Sequence, residues 1–267
     1  IVGMGGMIND MLSRLIYQHV VDLPVEEAKH ELAVFANIYR IAILVTIMIQ
    51  AFRMAAEPFF FKQSTETNAA KTYARIMKFF VIACCYMFLF ISLFVEVFSW
   101  FFTTIHKPLW TQGLYIVPLL AMGNIFLGIY YNLSIWYKLT DKNKMGAWIT
   151  VGGALLTIGL NIVLIPSWHY LGAAIATFCC YFFMMVVSFL LGQKHYPIPY
   201  ATKKIIAYLL VVCIFYALHK LMYYFYPALW FGISSGLVFL LLFTRLVIWA
   251  EAKELHNFAF YKRFAKK

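Results

Sequence analysis

Charged residues are scarce in this chain. They account for 12% of the sequence, whereas 64% of the residues are hydrophobic. A soluble domain of this size carries about twice that share of charge. The scarcity therefore excludes an ordinary soluble domain. It predicts an all-α integral membrane protein, for which the number of spans matters more than the number of soluble domains.

Sequence motifs of enzyme chemistry are also missing. There is no nucleophile elbow, no phosphate-binding glycine loop and no HExxH signature. The histidines lie at span ends, in connectors or in the tail, and the cysteines lie in apolar runs without the spacing of a zinc site. We therefore predict no enzyme, no metal and no cofactor, and we expect reduced thiols at Cys84, Cys85, Cys179, Cys180 and Cys213.

Long apolar runs fill the rest of the sequence. Because a membrane span needs about 20 apolar residues, the runs predict about eight transmembrane helices, of which the first is truncated. They cover residues 1–20, 32–56, 79–102, 112–137, 145–165, 170–191, 205–225 and 227–249. The first helix begins directly at Ile1, so we expect a further N-terminal portion of the protein to precede it.

Basic residues lie mainly on one side of these spans. The net charge is +11, but the lysines and arginines sit between apolar runs and not on one soluble face, so we predict no nucleic-acid partner. The positive-inside rule then places the richer connectors and the C-terminus in the cytoplasm. The opposite connectors hold Lys29, Lys107 and Lys220, whereas the richer ones hold Lys62, Lys71, Arg75, Lys78, Lys138, Lys142, Lys144, Lys194, Lys203 and Lys204.

The tail, residues 250–267, spaces apolar side chains three residues apart with basic residues between them. These apolar residues are Leu255, Phe258, Tyr261 and Phe264. The pattern predicts a basic amphipathic helix on the anionic cytoplasmic leaflet. A frayed, solvated tail is the alternative.

Charges inside the predicted spans are the candidate functional residues. Asp10 and Arg14 lie four positions apart and share a helix face. With a rise of about 1.5 Å per residue, both lie at nearly the same depth as Arg40 on the next helix, and Asn9 and Asn37 add polar groups nearby. Because a charge in hydrocarbon is costly, such groups normally face a bundle interior or a watery cavity.

These residues predict a cationic, substrate-binding cavity. Arginine suits a phosphate because its planar guanidinium binds two oxygens and stays charged. Asp10 would hold one arginine in place and could titrate. A buried Asp10–Arg14 or Asp10–Arg40 pair that only locks the helices together remains open. Arg53 is a further candidate, with snorkelling to the interface as its alternative.

Three stretches carry a family resemblance. They are Asn161-Ile-Val-Leu-Ile-Pro-Ser-Trp-His-Tyr-Leu-Gly-Ala-Ala-Ile-Ala-Thr177, Ile8-Asn-Asp-Met-Leu-Ser-Arg14 and Ala51-Phe-Arg-Met-Ala-Ala-Glu-Pro-Phe-Phe-Phe-Lys62. The sequence resembles the polysaccharide (O-antigen-type) flippases of the multidrug/oligosaccharidyl-lipid/polysaccharide exporter superfamily. It departs from them at His169, where these proteins often have glycine, and this departure affects the geometry of a turn.

The resemblance implies the C-terminal half of a protein with twelve to fourteen spans. Residues 1–192 would form the C-terminal six-helix lobe, and residues 193–249 two peripheral helices. The N-terminal lobe of the same protein would be missing. The implied function is flipping of a polyprenyl-pyrophosphate-linked oligosaccharide across the bacterial cytoplasmic membrane for lipopolysaccharide and other surface polysaccharides. Membrane lipids and polysaccharide polymerase or assembly proteins are the further expected partners, and coupling to a proton or sodium gradient is open.

Other functions remain as alternatives. A cation-coupled multidrug antiporter of the same superfamily would favour an acidic cavity with few arginines. A peptidoglycan-precursor flippase would also be expected to have a cationic cavity, like the polysaccharide flippase. A membrane enzyme of polysaccharide assembly should show large outer loops with paired carboxylates or histidines, and the outer connectors here are short. A purely structural subunit would leave the arginines in the spans unexplained.

Overall fold

The computed structural model describes residues 13, 15–17, 20–21, 24–104 and 111–255. Every regular element in these ranges is helical, and no strand occurs among them. The helices are α1 (Val25–Gln63), α2 (Ala69–Leu93), α3 (Val95–Thr104), α4 (Val117–Leu133), α5 (Ile135–Leu139), α6 (Asn143–His195), α7 (Thr202–Phe225) and α8 (Leu229–Leu255). A 3₁₀ turn, Leu114–Ile116, leads into α4.

Six of these helical stretches are long and apolar enough to cross a membrane. They are Glu26–Gln63, Ala69–Leu93, Leu114–Leu139, Asn143–His195, Thr202–Phe225 and Leu229–Glu254. The prediction of an all-α membrane protein is thus confirmed in its coarse form. The count of eight spans stays a prediction, because most of the first predicted span lies outside the described residues.

Helix α6 folds back on itself as a helical hairpin. His169 interrupts it with backbone angles of φ 48° and ψ −134°. Beyond that residue the Sγ of Cys180 donates to the carbonyl oxygen of Gly153 at 3.3 Å. Residues 27 positions apart in a straight helix would be separated by about 40 Å. The two arms, 143–168 and 170–195, therefore run antiparallel, as the separate fifth and sixth predicted spans require.

Helix α1 extends beyond both ends of the predicted span 32–56 and includes charged residues there. Helix α1 begins at Val25, inside the acidic segment predicted as a connector, and places Glu26 and Glu27 in its first turn. Acidic side chains there interact favourably with the positive end of the helix dipole. With 39 residues the helix is about 58 Å long, so it is longer than the hydrocarbon core of about 30 Å.

Helix α4 forms the centre of the bundle. Nearly all of its side chains are buried, and it packs against α6, α1 and α2. Helices α7 and α8 pack against α2 and against each other, and about half of their side chains are exposed. Among the most exposed large side chains are Trp148, Tyr224, Trp230 and Trp249. Such an apolar exterior suits a lipid environment.

The helices alternate in direction, so the bundle has two ends. We call the end that carries Lys62, Lys71, Lys138, Lys142 and Lys194 the basic end. Helix α1 finishes there and α2 begins there. The other end, called the opposite end, carries Glu31, His169 and Tyr226. Ion pairs join helices at both ends: Lys78 with Glu251 at the basic end and Lys220 with Glu96 near the opposite end.

Candidate functional site

Only part of the predicted cationic cavity falls within the described chain. Asn9, Asp10 and Arg14 lie outside the described residues. Asn37, Arg40 and Arg53 all lie on α1. The geometry of the candidate site is therefore the geometry of this one long helix and its neighbours.

Arg40 is exposed on the side of α1 that faces away from the bundle. The same helix face exposes Ile43, Ile47 and Met54, the last with 77% of its surface accessible. Asn37 is half-buried and lies one turn before Arg40. Arg40 forms no hydrogen bond or ion pair with any described residue. A cation placed so far along an apolar helix needs water, an anion or a partner beyond these residues.

The opposite face of α1 is firmly packed, and this packing sets the orientation of Arg40. Ile38, Ala42 and Val45 on that face are completely buried. The side-chain nitrogen of Asn124 on α4 donates to the carbonyl oxygen of Ala42 at 3.1 Å. A rotation of α1 that buried Arg40 would break this contact, so the guanidinium is held on the free face.

Arg53 occupies a different environment near the basic end. Its guanidinium lies 4.8 Å from the centre of the Tyr131 ring, a cation–π contact. Close by, the ammonium of Lys138 donates to Glu57 at 2.5 Å. The Nδ2 of Asn132, which is 5% exposed, finds no acceptor among the described residues. These side chains line a cavity of about 20 Å³, which has room for one water and not for a pyrophosphate.

The structure does not bring Arg40 and Arg53 together. Thirteen positions separate them, which is about 20 Å along a helix axis, and Arg53 turns toward α4 while Arg40 turns away from it. Arg40 with Asn37 and Arg53 with Lys138 and Glu57 are thus two separate polar locations on the same helix.

A buried ion network joins three helices at the basic end. Glu251 on α8 accepts from Lys78 on α2 at 2.6 Å and from Lys204 on α7 at 2.9 Å. Tyr208 on α7 donates to the same carboxylate at 2.7 Å. Glu254 accepts from Lys78 at 2.5 Å. Lys78 and Glu251 are almost wholly buried, so this network is a buried polar link between the last two helices and the bundle.

Sequence reasoning missed this network. The sequence predicts Lys78 in a connector and Glu251 in the tail, yet both lie within helices. The one available signal was the position of each charge next to a long apolar run. Which lysine meets which glutamate depends on helix packing, and this cannot be inferred from spacing along the chain.

Polar contacts at the opposite end connect Tyr17, from the first predicted span, to α1 and the α6 hairpin. Glu31 accepts a hydrogen bond from Tyr17. The Nδ1 of His169 lies 3.1 Å from the same carboxylate, although it lacks hydrogen-bond alignment. Deeper in the bundle, Asn161 donates to Ser13 at 3.1 Å. Asn161 and His169 both belong to the stretch that carries the family resemblance.

Glu96 of α3 forms an ion pair close to the end of its helix that lies near α7. The structure pairs it with Lys220 of α7. Its side chain is 11% exposed, and its second oxygen is buried without a partner among the described residues. The pair links α3 to α7 near the opposite end.

The described residues contain no group of three or more His, Cys, Asp or Glu side chains that could hold a metal ion.

The fold defines an all-α, multi-pass membrane protein. Comparison of the chain with protein-family models, curated proteins and solved structures found no match. The assignment of a function therefore depends on the helices and their charges.

Proposed function

We propose that this chain is the C-terminal part of a transporter that flips a polyprenyl-pyrophosphate-linked oligosaccharide across the cytoplasmic membrane for surface polysaccharide biosynthesis. The observation that carries the proposal is the exposed, cationic face of α1 at Arg40. The resemblance of residues 161–177 to polysaccharide flippases adds the substrate class.

The chemistry of the substrate matches this face. Sugars and a pyrophosphate cannot enter hydrocarbon without groups that replace their hydration. An arginine beside an amide, as at Arg40 and Asn37, offers a phosphate several donors and a fixed positive charge. Around it Ile43 and Ile47 provide an apolar surface, along which a polyprenyl chain can remain in lipid.

The proposal includes a second lobe that covers the Arg40 face. Arg40 lies 9 residues, or about 14 Å, along α1 from Glu31 at the opposite end, so it belongs to the membrane interior. A lobe facing α1 would enclose a watery cavity there, and rocking of the two lobes would give alternating access. The lysine-rich basic end would face the cytoplasm under the positive-inside rule.

A reconstituted transport assay tests this function. The full-length gene product is placed in proteoliposomes with a fluorescent polyprenyl-pyrophosphate oligosaccharide, and its movement between leaflets is measured. Arg40→Gln should slow flipping by about 10- to 100-fold, the loss expected for a charged hydrogen bond. Arg245→Gln is the matched control, because Arg245 is also an exposed arginine on a membrane helix but lies on peripheral α8.

Each outcome has a separate meaning. Flipping that falls for Arg40→Gln and not for Arg245→Gln supports both the function and the site. Equal flipping by all three proteins would retain the function and return Arg40 to a structural role. Absence of flipping together with cation-driven export of dyes would replace the proposal with the multidrug antiporter.

A further inference from the structure

Two cavities meet at Arg75 near the basic end. The first is a groove of about 410 Å³ between α1 and α2. The second is a cavity of about 400 Å³ between the start of α2, the connector 196–201 and the end of α8. Arg75 lines both of them, so they adjoin at this side chain as two chemically different halves.

The second half is basic. Lys71, Arg75 and Lys78 lie on successive turns of α2, so their side chains share one helix face, and Glu254 is the acidic residue in the lining. Arg75 and Lys78 both pair with that carboxylate, at 3.1 and 2.5 Å. Lys71 is exposed and forms no ion pair with any described residue.

The lining therefore has an excess of positive charge. It holds three cations against one anion, and the charges of Glu251 and Lys204 directly behind it cancel. An anion that entered the cavity would meet Lys71 and Arg75 at its open side. Phosphate is the anion that suits such a set, since arginine binds two of its oxygens and lysine adds a point charge.

The first half is apolar and points into the membrane. Its lining beyond Arg75 consists of Met48, Phe52, Ile76, Phe79, Phe80 and Ala83. From Ile76 to Ala83 the groove follows α2 for about 10 Å, away from the basic end. An apolar groove of this kind accommodates a hydrocarbon chain and offers nothing to a hydrophilic ligand.

We propose that the two halves form a site for an anionic membrane phospholipid. The headgroup phosphate lies in the basic cavity, one acyl chain lies in the groove, and Arg75 marks the boundary between them. A basic pocket between transmembrane helices at the lysine-rich side is where anionic headgroups bind. A free phosphate would account for Lys71 and Arg75 but would leave the groove empty.

The bound lipid would lie beside the contact between α2 and α8. Its phosphate touches α2 through Lys71 and Arg75 and lies beside Glu254 of α8. These are two of the helices that the Lys78–Glu251 network joins. The site is independent of the proposed flipping function, because it faces the lipid between α1, α2 and α8 and does not include Arg40.

Native mass spectrometry of the full chain in detergent tests the site. Phosphatidylglycerol, phosphatidylcholine and inorganic phosphate are titrated separately. Phosphatidylglycerol should bind most tightly, and Lys71→Gln should weaken its binding by about fivefold, as expected for one basic side chain near an anionic lipid. Ala83→Trp should weaken the binding of both lipids because it fills the groove. Both residues are exposed, so each variant should fold.

Lys144→Gln is the matched control, because Lys144 is an exposed lysine at the same end but lies on α6. It should leave phosphatidylglycerol binding unchanged. Equal binding of the two lipids, or equal losses from Lys71→Gln and Lys144→Gln, would overturn the proposal. Inorganic phosphate that competes fully while Ala83→Trp has no effect would assign the cavity to free phosphate. A polyprenyl phosphate that binds far more tightly than phosphatidylglycerol would overturn the phospholipid assignment.

Discussion

The ammonium of Lys78 lies 2.6 Å from the carboxylate of Glu251, a residue 173 positions later in the chain. Both side chains are almost completely buried. The pair joins α2, in the bundle, to α8, the last described helix. Lys204 and Tyr208 of α7 bond to the same carboxylate, so one glutamate connects three helices.

Replacement of Lys78 by methionine should strongly destabilise this arrangement. Removal of one partner of a buried ion pair typically costs about 3–5 kcal/mol, because the other charge is left buried. Lys204 and Tyr208 still bond to Glu251, so we expect Lys78→Met to lie at the lower end of that range. Reversible unfolding of the purified protein in mixed detergent micelles measures the change in free energy.

Lys29→Met provides the control for that measurement. It breaks an exposed pair with Glu26, whose two side chains are 67% and 86% accessible, and exposed pairs contribute about 0–1 kcal/mol. A double variant, Lys78→Met with Glu251→Met, should recover part of the loss, because the fully buried carboxylate of Glu251 is removed together with Lys78. Lys204 and Glu254 each lose one partner, but both side chains reach solvent. If Lys78→Met and Lys29→Met shift stability equally, the buried network does not hold α8 in place.

The sequence predicts the apolar, membrane-spanning character of the helices but not this network. Apolar runs identify α2 and α8 because a span must be about 20 residues long. Lys78 and Glu251 lie just outside the predicted apolar runs 79–102 and 227–249, so the sequence predicts them in a connector and in the tail. A charge can be buried inside a helix when a partner of opposite charge lies against it. Only the packing of the helices shows which residue that partner is.

Gly172→Ala should disrupt the α6 hairpin. A Cβ at this position would lie 2.5 Å from the carbonyl oxygen of Leu164 on the other arm, and backbone cannot move away as a side chain can. Overpacking of this kind typically costs about 1–3 kcal/mol. The melting temperature of the purified protein should fall accordingly.

Gly159→Ala is the matched control for the hairpin. Gly159 lies in the same helix and a Cβ there meets no atom within 4 Å. Since alanine is the better helix former by about 1 kcal/mol, this variant should keep or raise the melting temperature. If the two variants melt at the same temperature, the arms are not in contact at Gly172.

The backbone of His169 predicts a second effect at the same hairpin. Its angles, φ 48° and ψ −134°, are close to those of the first central residue of a type II′ turn, where glycine is preferred. His169→Gly should therefore raise thermal stability or leave it unchanged, whereas His169→Val should lower it, because a β-branched residue is an outlier at positive φ. A more stable valine variant would contradict this turn geometry.

This turn could be located from the sequence in part. The apolar runs 145–165 and 170–191 predict two spans joined by a short turn, and the resemblance marks His169 as a position where related proteins often have glycine. The positive φ of His169 is a conformation that glycine adopts without strain. The contact between His169 and Glu31 could not be foreseen, because it depends on how the hairpin packs beside α1.

The geometry of the predicted cationic cavity could also be derived only in part from the sequence. The rise of a helix places Arg40 within the membrane interior from the sequence alone. It also separates Arg40 from Arg53 by about 20 Å, a distance that argues against grouping them in one site. Which side of α1 each arginine faces became clear only from the packing of Ala42 and Tyr131 against the bundle.

The orientation in the membrane is open to a direct test by cysteine labelling. Lys194→Cys places a thiol at the basic end, and Tyr226→Cys places one at the opposite end; both residues are exposed. The positive-inside rule assigns the basic end to the cytoplasm. A membrane-impermeant maleimide should therefore label Tyr226→Cys in intact cells and Lys194→Cys only after permeabilisation.

The unmodified chain is the background control for this labelling, since its native cysteines lie within apolar helices. The reverse labelling pattern would invert the orientation, and the lysine-rich end would then face outward, so that the proposed route of the lipid-linked sugar from the basic end would have to be abandoned.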